Sequence, residues 1–136
     1  MTVRDIMTRE VETASPTETV LDARDRFRLG GFRHLPVLDG GRLVGMVSDR
    51  DVLRAAGPSL AELAFEDDEG PGLDRTLAEI MTPMPITADP MMSVPDAADT
   101  LLRYDMSALP VLDEGHLVGI VTTADVLRMA AGVLAA

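Results

Sequence analysis

The chain has 136 residues, 46% hydrophobic and 26% charged, a balance that fits one ordinary domain or two small ones and excludes disorder throughout. It has no cysteine, so disulfides, thiolate metal sites and a cysteine nucleophile are excluded; all 12 basic residues are arginine, so lysine chemistry is excluded too. A net charge of −11 opposes nucleic acid or an anionic membrane as main partner, and no apolar run nears the ~18 residues that span a bilayer.

A short lead-in, Asp5-Ile6-Met7-Thr8, opens the chain, without a signal-peptide pattern before it; a cytoplasmic location is expected. Val11-Glu12-Thr13 reads as a short strand, and Pro16 follows it. A helix follows from about Thr19 to Leu29, with Val20, Ala23 and Phe27 on one face and Gly30-Gly31 at its end. His34 to Leu38 and Leu43 to Val47 read as strands around an Asp39-Gly40-Gly41 turn, and Asp49 to Ala56 as a second helix. Leu60 to Leu63 reads as a helical turn, and the run from Glu66 to Gly72 as a solvated acidic loop.

The second half repeats the first at a constant offset of 74 residues. Met7 meets Met81, Thr13-Ala14 meets Thr87-Ala88, and Leu35-Pro36-Val37-Leu38-Asp39 meets Leu109-Pro110-Val111-Leu112-Asp113. Gly45 meets Gly119, and Asp51-Val52-Leu53-Arg54 meets Asp125-Val126-Leu127-Arg128. The expected elements are therefore Pro85 to Thr87, Val94 to Arg103, Ala108 to Leu112, Leu117 to Val121, and Thr123 to about Leu134. This predicts an α/β (α+β) fold: two βαββα repeats, 1–58 and 77–136, joined by a linker at 59–76. The repeats are expected to pack sheet to sheet with pseudo-twofold symmetry, because about fifty residues leave one sheet face uncovered. The apolar last helix is expected to pack on a second subunit.

Each third strand ends in Gly, two apolar residues, a hydroxyl residue, two variable residues and Asp. These are Gly45 to Asp51 with Ser48, and Gly119 to Asp125 with Thr122. The spacing leaves two readings open. Ser-x-x-Asp and Thr-x-x-Asp form capping boxes, in which the acid accepts the cap's own N–H. The same helix N-terminus also suits a phosphate, and the carboxylate suits a ribose diol. His34 and His116 do not occupy matching positions, so a histidine metal site or triad is not expected. Asp22 and Asp96 fit the helix dipole, and the methionines read as packing. No nucleophile–base pair stands at a justifiable spacing, so the chain is not expected to be an enzyme.

The repeated Asp-Ile-Met-Thr lead-in, the Leu-Pro-Val-Leu-Asp strand and the Gly-x-x-Ser/Thr-x-x-Asp ending resemble a tandem pair of cystathionine-β-synthase (CBS) domains, or Bateman module, over about Val3 to Ala130. The resemblance implies a non-catalytic regulatory module that binds AMP, ADP, ATP, S-adenosylmethionine or NAD(H) in clefts between the repeats. It also implies a homodimer and signalling to an effector protein. By matching positions it carries the hydroxyl role to Ser48 and Thr122 and the ribose-binding role to Asp51 and Asp125. Base or phosphate contacts fall on Arg33-His34 and Ser107-Ala108, and the base pocket near Thr13-Ala14 and Thr87-Ala88. Arg33, His34 and Arg50 are replaced by Ser107, Ala108 and Ala124, so the Ser48–Asp51 site is expected to be the better phosphate site. The alternative is a ligand-free dimerisation or docking scaffold whose Ser/Thr-x-x-Asp motifs serve only as caps.

Overall fold

Two apolar hairpins organise the chain, each flanked by helices with a buried stripe. The computed structural model describes residues 1–56 and 72–135. In chain order these hold α1 (Val3–Ile6), α2 (Val20–Gly30), β1 (His34–Asp39), β2 (Arg42–Ser48), α3 (Asp49–Ala56) and α4 (Leu77–Ile80). Then come β3 (Thr82–Pro83), α5 (Val94–Arg103), β4 (Ala108–Asp113), β5 (His116–Thr122) and α6 (Thr123–Ala135). The readings of Leu60 to Leu63 and of the acidic run up to Pro71 lie outside the described residues, as do the side chains at the end of α6.

Both hairpins have the same build. β1 pairs antiparallel with β2 and β4 with β5, and each register skips one residue, at Val44 and at Val118. The turns take two residues at positive φ, Gly40 at 57° and Gly41 at 83°, then Glu114 at 50° and Gly115 at 83°. That is the turn geometry whose twist matches a hairpin.

The expected first strands do not form: residues 11–13 and 85–87 pair with no strand, and just after each stands a single parallel bridge, Ala14 with Val37 and Ala88 with Val111. Ala14 donates its N–H to the Pro36 carbonyl at 2.9 Å and accepts from the Leu38 N–H at 2.8 Å; Ala88 does the same with Pro110 and Leu112. Pro16 and Pro90 follow two residues later and have no N–H with which to extend the pairing. In the first hairpin the third strand is instead β3, whose Thr82 and Pro83 pair with Met46 and Gly45. Thr8 bridges Ile120 at the matching place in the second.

The compact units do not follow the sequence repeats. One is Glu12–Met84; the other is Met1–Val11 with Pro85–Ala136. Each lead-in crosses to the other repeat's core. Leu77 is fully buried with Val20, Leu35, Val37 and Val47, and Val3 with Ala97, Leu109, Val111 and Val121. Backbone bonds fasten both lead-ins alike. The Leu77 N–H donates to the Glu18 carbonyl at 2.8 Å and Val20 to Arg75 at 2.8 Å; at the matched positions Val3 donates to Met92 at 2.8 Å and Val94 to Met1 at 3.3 Å. These bonds use helix N-terminal donors that no intrahelical carbonyl can reach.

The crossing requires the motif glycines. A Cβ on Gly119 would lie 2.7 Å from the Met7 sulfur and 2.8 Å from the Thr8 carbonyl oxygen. One on Gly45 would meet Met81 and lie 3.1 Å from the Thr82 carbonyl oxygen.

Candidate functional site

Strand becomes helix at Ser48 and at Thr122, and there both capping boxes are complete. The Ser48 N–H donates to Asp51 Oδ2 at 2.8 Å, and the Asp51 N–H donates to Ser48 Oγ at 3.2 Å. Thr122 and Asp125 repeat this at 2.8 and 3.2 Å. Each cap uses one carboxylate oxygen; the other meets an arginine one turn along the helix. Arg128 Nη2 donates to Asp125 Oδ1 at 2.6 Å. Arg54 stands 3.8 Å from Asp51 Oδ1.

Each aspartate lines a cavity inside its own unit. Asp51, Arg54, Ala55, Arg75 and Ile80 line an open cleft of about 210 Å³. Asp125, Arg128, Met129, Met1, Ile6, Asp5 and Gly132 line an open cleft of about 540 Å³. The first five of the second set are the first set displaced by the repeat offset. Both cavities therefore take residues from both sequence repeats, because the lead-in of one repeat closes the pocket of the other.

The remaining sequence candidates do not line either cavity. His34 opens β1 opposite Ser48 on β2, and Ala108 opens β4 opposite Thr122 on β5. Burial pushes the His34 imidazole below its ordinary value near 6.5; the Asp49 and Asp51 carboxylates oppose this and Arg33 adds to it. The Arg33 carbonyl accepts the Asp49 N–H at 3.1 Å, and the Ser107 carbonyl accepts the Thr123 N–H at 3.0 Å. Both residues therefore satisfy the first N–H of a helix through their backbone carbonyls. Thr13 and Thr87 sit half-buried beside the Ala14 and Ala88 bridges. The side chains of Arg33 and Arg50 are exposed, and the residues lining the Asp51 cavity do not include them.

The arginines that do line the first cavity, Arg54 and Arg75, were not singled out from sequence. Arg54 had a visible signal, since Asp-x-x-Arg recurs in both repeats. Arg75 had none, because its place depends on the crossing of the lead-in. In the second cavity, Asp5 is held below the usual carboxylate range chiefly by the Thr2 N–H at 2.8 Å, with desolvation opposing. The Thr2 hydroxyl, the Met1 α-ammonium and Arg9 add to the lowering.

Comparison with known proteins finds relatives of the whole chain. The family profile named CBS domain matches residues 3–57 and 77–132. A CBS domain-containing protein of Bacillus subtilis, YhcV, is 32% identical over 124 residues, which cover 90% of this chain and 81% of that one. Of several other curated relatives the chain spans only 22% to 46%. Two solved structures match nearly end to end. The CBS domain pair of protein MJ0100, in complex with 5′-methylthioadenosine and S-adenosyl-L-methionine, is 30% identical with a TM-score of 0.81, covering 97% of each chain. CBSX2 in complex with AMP, a protein of Arabidopsis thaliana, is 32% identical with a TM-score of 0.80, covering 98% of each.

Proposed function

The chain belongs to the CBS domain family, and on that premise we propose that it is a non-catalytic module binding adenosine-containing ligands at Asp51 and Asp125. One observation carries the reading: two matched cavities, each lined by a capped aspartate whose second oxygen faces an arginine. A ribose diol donates two hydrogen bonds that such a carboxylate accepts, and a guanidinium alongside suits a 5′-phosphate. The relatives' ligands, AMP, 5′-methylthioadenosine and S-adenosyl-L-methionine, share that ribose.

The signal would pass through a homodimer to an effector protein, with ligand favouring one of two arrangements by differential affinity. Leu53 on α3 and Leu127 on α6 are matched and exposed, which supplies apolar surface for a second copy. No helix among the described residues is long and apolar enough to cross a membrane.

The complete capping boxes favour a second reading, a scaffold whose aspartates only cap helices. Thermal unfolding separates the two. The panel is AMP, ADP and ATP with and without Mg²⁺, S-adenosylmethionine and NADH. Ligand at ~100 times its dissociation constant adds about 2.7 kcal/mol, which raises the midpoint by several degrees at this size. The rise should vanish in Asp51→Asn/Asp125→Asn. A wild-type midpoint unmoved by every member at millimolar concentration supports the scaffold.

A further inference from the structure

The two cavities are one pocket built twice, and two of the five matched positions differ in a way that bears on ligand choice. Arg75 in the first cavity becomes Met1 in the second, and Ala55 becomes Met129. The backbone at both differing lead-in positions is held alike, with the carbonyls of Arg75 and Met1 accepting the N–H groups of Val20 and Val94. The exchange therefore changes chemistry at a fixed place. Arg75 is also steadied through its Nε, 3.3 Å from Glu79 Oε2.

The cation balance shifts with it. The first cavity is lined by two guanidinium groups and one carboxylate; the second by one guanidinium and two carboxylates, Asp5 and Asp125. The single guanidinium of the second is already bound at 2.6 Å to Asp125, whereas Arg54 stands 3.8 Å from Asp51. Even with the Met1 α-ammonium beside Asp5, the second lining is no more than neutral. A 5′-phosphate needs charged donors close by, especially in a chain of net charge −11. A thioether or other uncharged 5′-group fits two methionine side chains and Ile6, which are apolar and adaptable.

We infer that the pockets divide the ligands between them: the Asp51 pocket takes an adenosine ligand with a 5′-phosphate, and the Asp125 pocket takes one whose 5′-substituent is not anionic. This rests on the proposed adenosine binding and adds which pocket takes which class. Arg75 is the specificity-determining residue, with Arg54 in support.

Calorimetric titration of the full chain tests it, with AMP and 5′-methylthioadenosine as probes. Asp125→Asn leaves the first pocket to be read alone, and Asp51→Asn the second. Asp125→Asn should bind AMP more tightly than 5′-methylthioadenosine, and Asp51→Asn should show the reverse order. Adding Arg75→Met to Asp125→Asn should weaken AMP about tenfold to a hundredfold, the size of a lost charge-assisted hydrogen bond, with 5′-methylthioadenosine little changed. Arg54→Met serves as a second variant, and unchanged urea midpoints show that each protein is folded. The same preference in both pockets, or an AMP affinity indifferent to Arg75, overturns the division and leaves adenosine binding standing. Absence of binding by wild type and all variants overturns both.

Discussion

The unit Glu12–Met84 and the unit of Met1–Val11 with Pro85–Ala136 share a backbone plan but hold one corner differently. In the first, Arg26 meets Glu12 at 2.9 Å and Glu18 at 3.2 Å, and Glu18 also accepts the Ser15 N–H at 2.6 Å. In the second, the matched residues are Thr100, Ile86 and Met92; Ile86 and Met92 pack against the core, and Thr100 bonds the Asp96 carbonyl. An ionic clamp and an apolar plug thus secure the same loop. What is common to both is the backbone bonding of lead-in to helix and the glycine beneath it. Side chains are free to diverge where backbone groups already satisfy one another.

The largest effects should come from breaking what the units share. Leu77→Ala removes a fully buried side chain from a core that its own repeat does not supply. It should cost about 2–5 kcal/mol in urea unfolding. Hydrogen exchange should place the loss in the Glu12–Met84 unit, at amides such as Val47, before Val121. Equal acceleration in both units would show that the lead-in does not belong to one core.

Glycine substitutions come next and sharpen the comparison. Gly119→Ala and Gly45→Ala both overpack a strand crossing, at roughly 1–3 kcal/mol. Gly119→Ala should be worse, since a backbone oxygen lies 2.8 Å from its Cβ rather than 3.1 Å, and backbone yields less than a methionine side chain. Equal midpoints for the two variants would refute that ranking.

The clamp itself should matter less. Arg26 and Glu18 are part-exposed and Glu12 is open, so Arg26→Thr should cost about 1 kcal/mol or less, and the loss should shrink as salt rises. A salt-independent loss would point to packing by the arginine stem instead.

The smallest effect distinguishes His34 from its counterpart Ala108. The folded state lowers the His34 pKa, so the unfolded chain binds the proton more readily. His34 therefore contributes stability that is full above about pH 6.5 and falls as the pH drops from there toward the lowered folded value. His34→Ala should remove that slope, read as the difference between the midpoint–pH curves of the two proteins. Parallel curves would mean that His34 does not titrate differently on folding.

Much of this was legible in the residues themselves. Helix α3 runs over Asp49–Ala56 and α5 over Val94–Arg103, the expected spans, because a hydroxyl cap or N-terminal acid and a buried stripe are local signals. The hairpins followed from apolar strands around a glycine turn. The first strands did not: residues 11–13 and 85–87 stay unpaired, and each hairpin takes only one bridge, from Ala14 or Ala88. At the candidate site, Ser48, Asp51, Thr122 and Asp125 stood out because the motif is local and occurs twice. Arg75 and Met1 did not, because nothing near them in the chain marks a pocket.

By itself, then, the sequence determined the repeat and its offset by identity between the halves, and it determined the helices, the hairpins and the two Ser/Thr-x-x-Asp motifs. The last three depend on residues within a few positions of one another, where periodicity and hydrogen-bonding type suffice. Only the tertiary structure decided that each lead-in enters the other repeat's core, and hence which side chains face each aspartate. Val3 and Leu77 suit either core by hydrophobicity alone. The choice lies in long-range backbone bonds and in the space beneath Gly45 and Gly119, which no local pattern encodes.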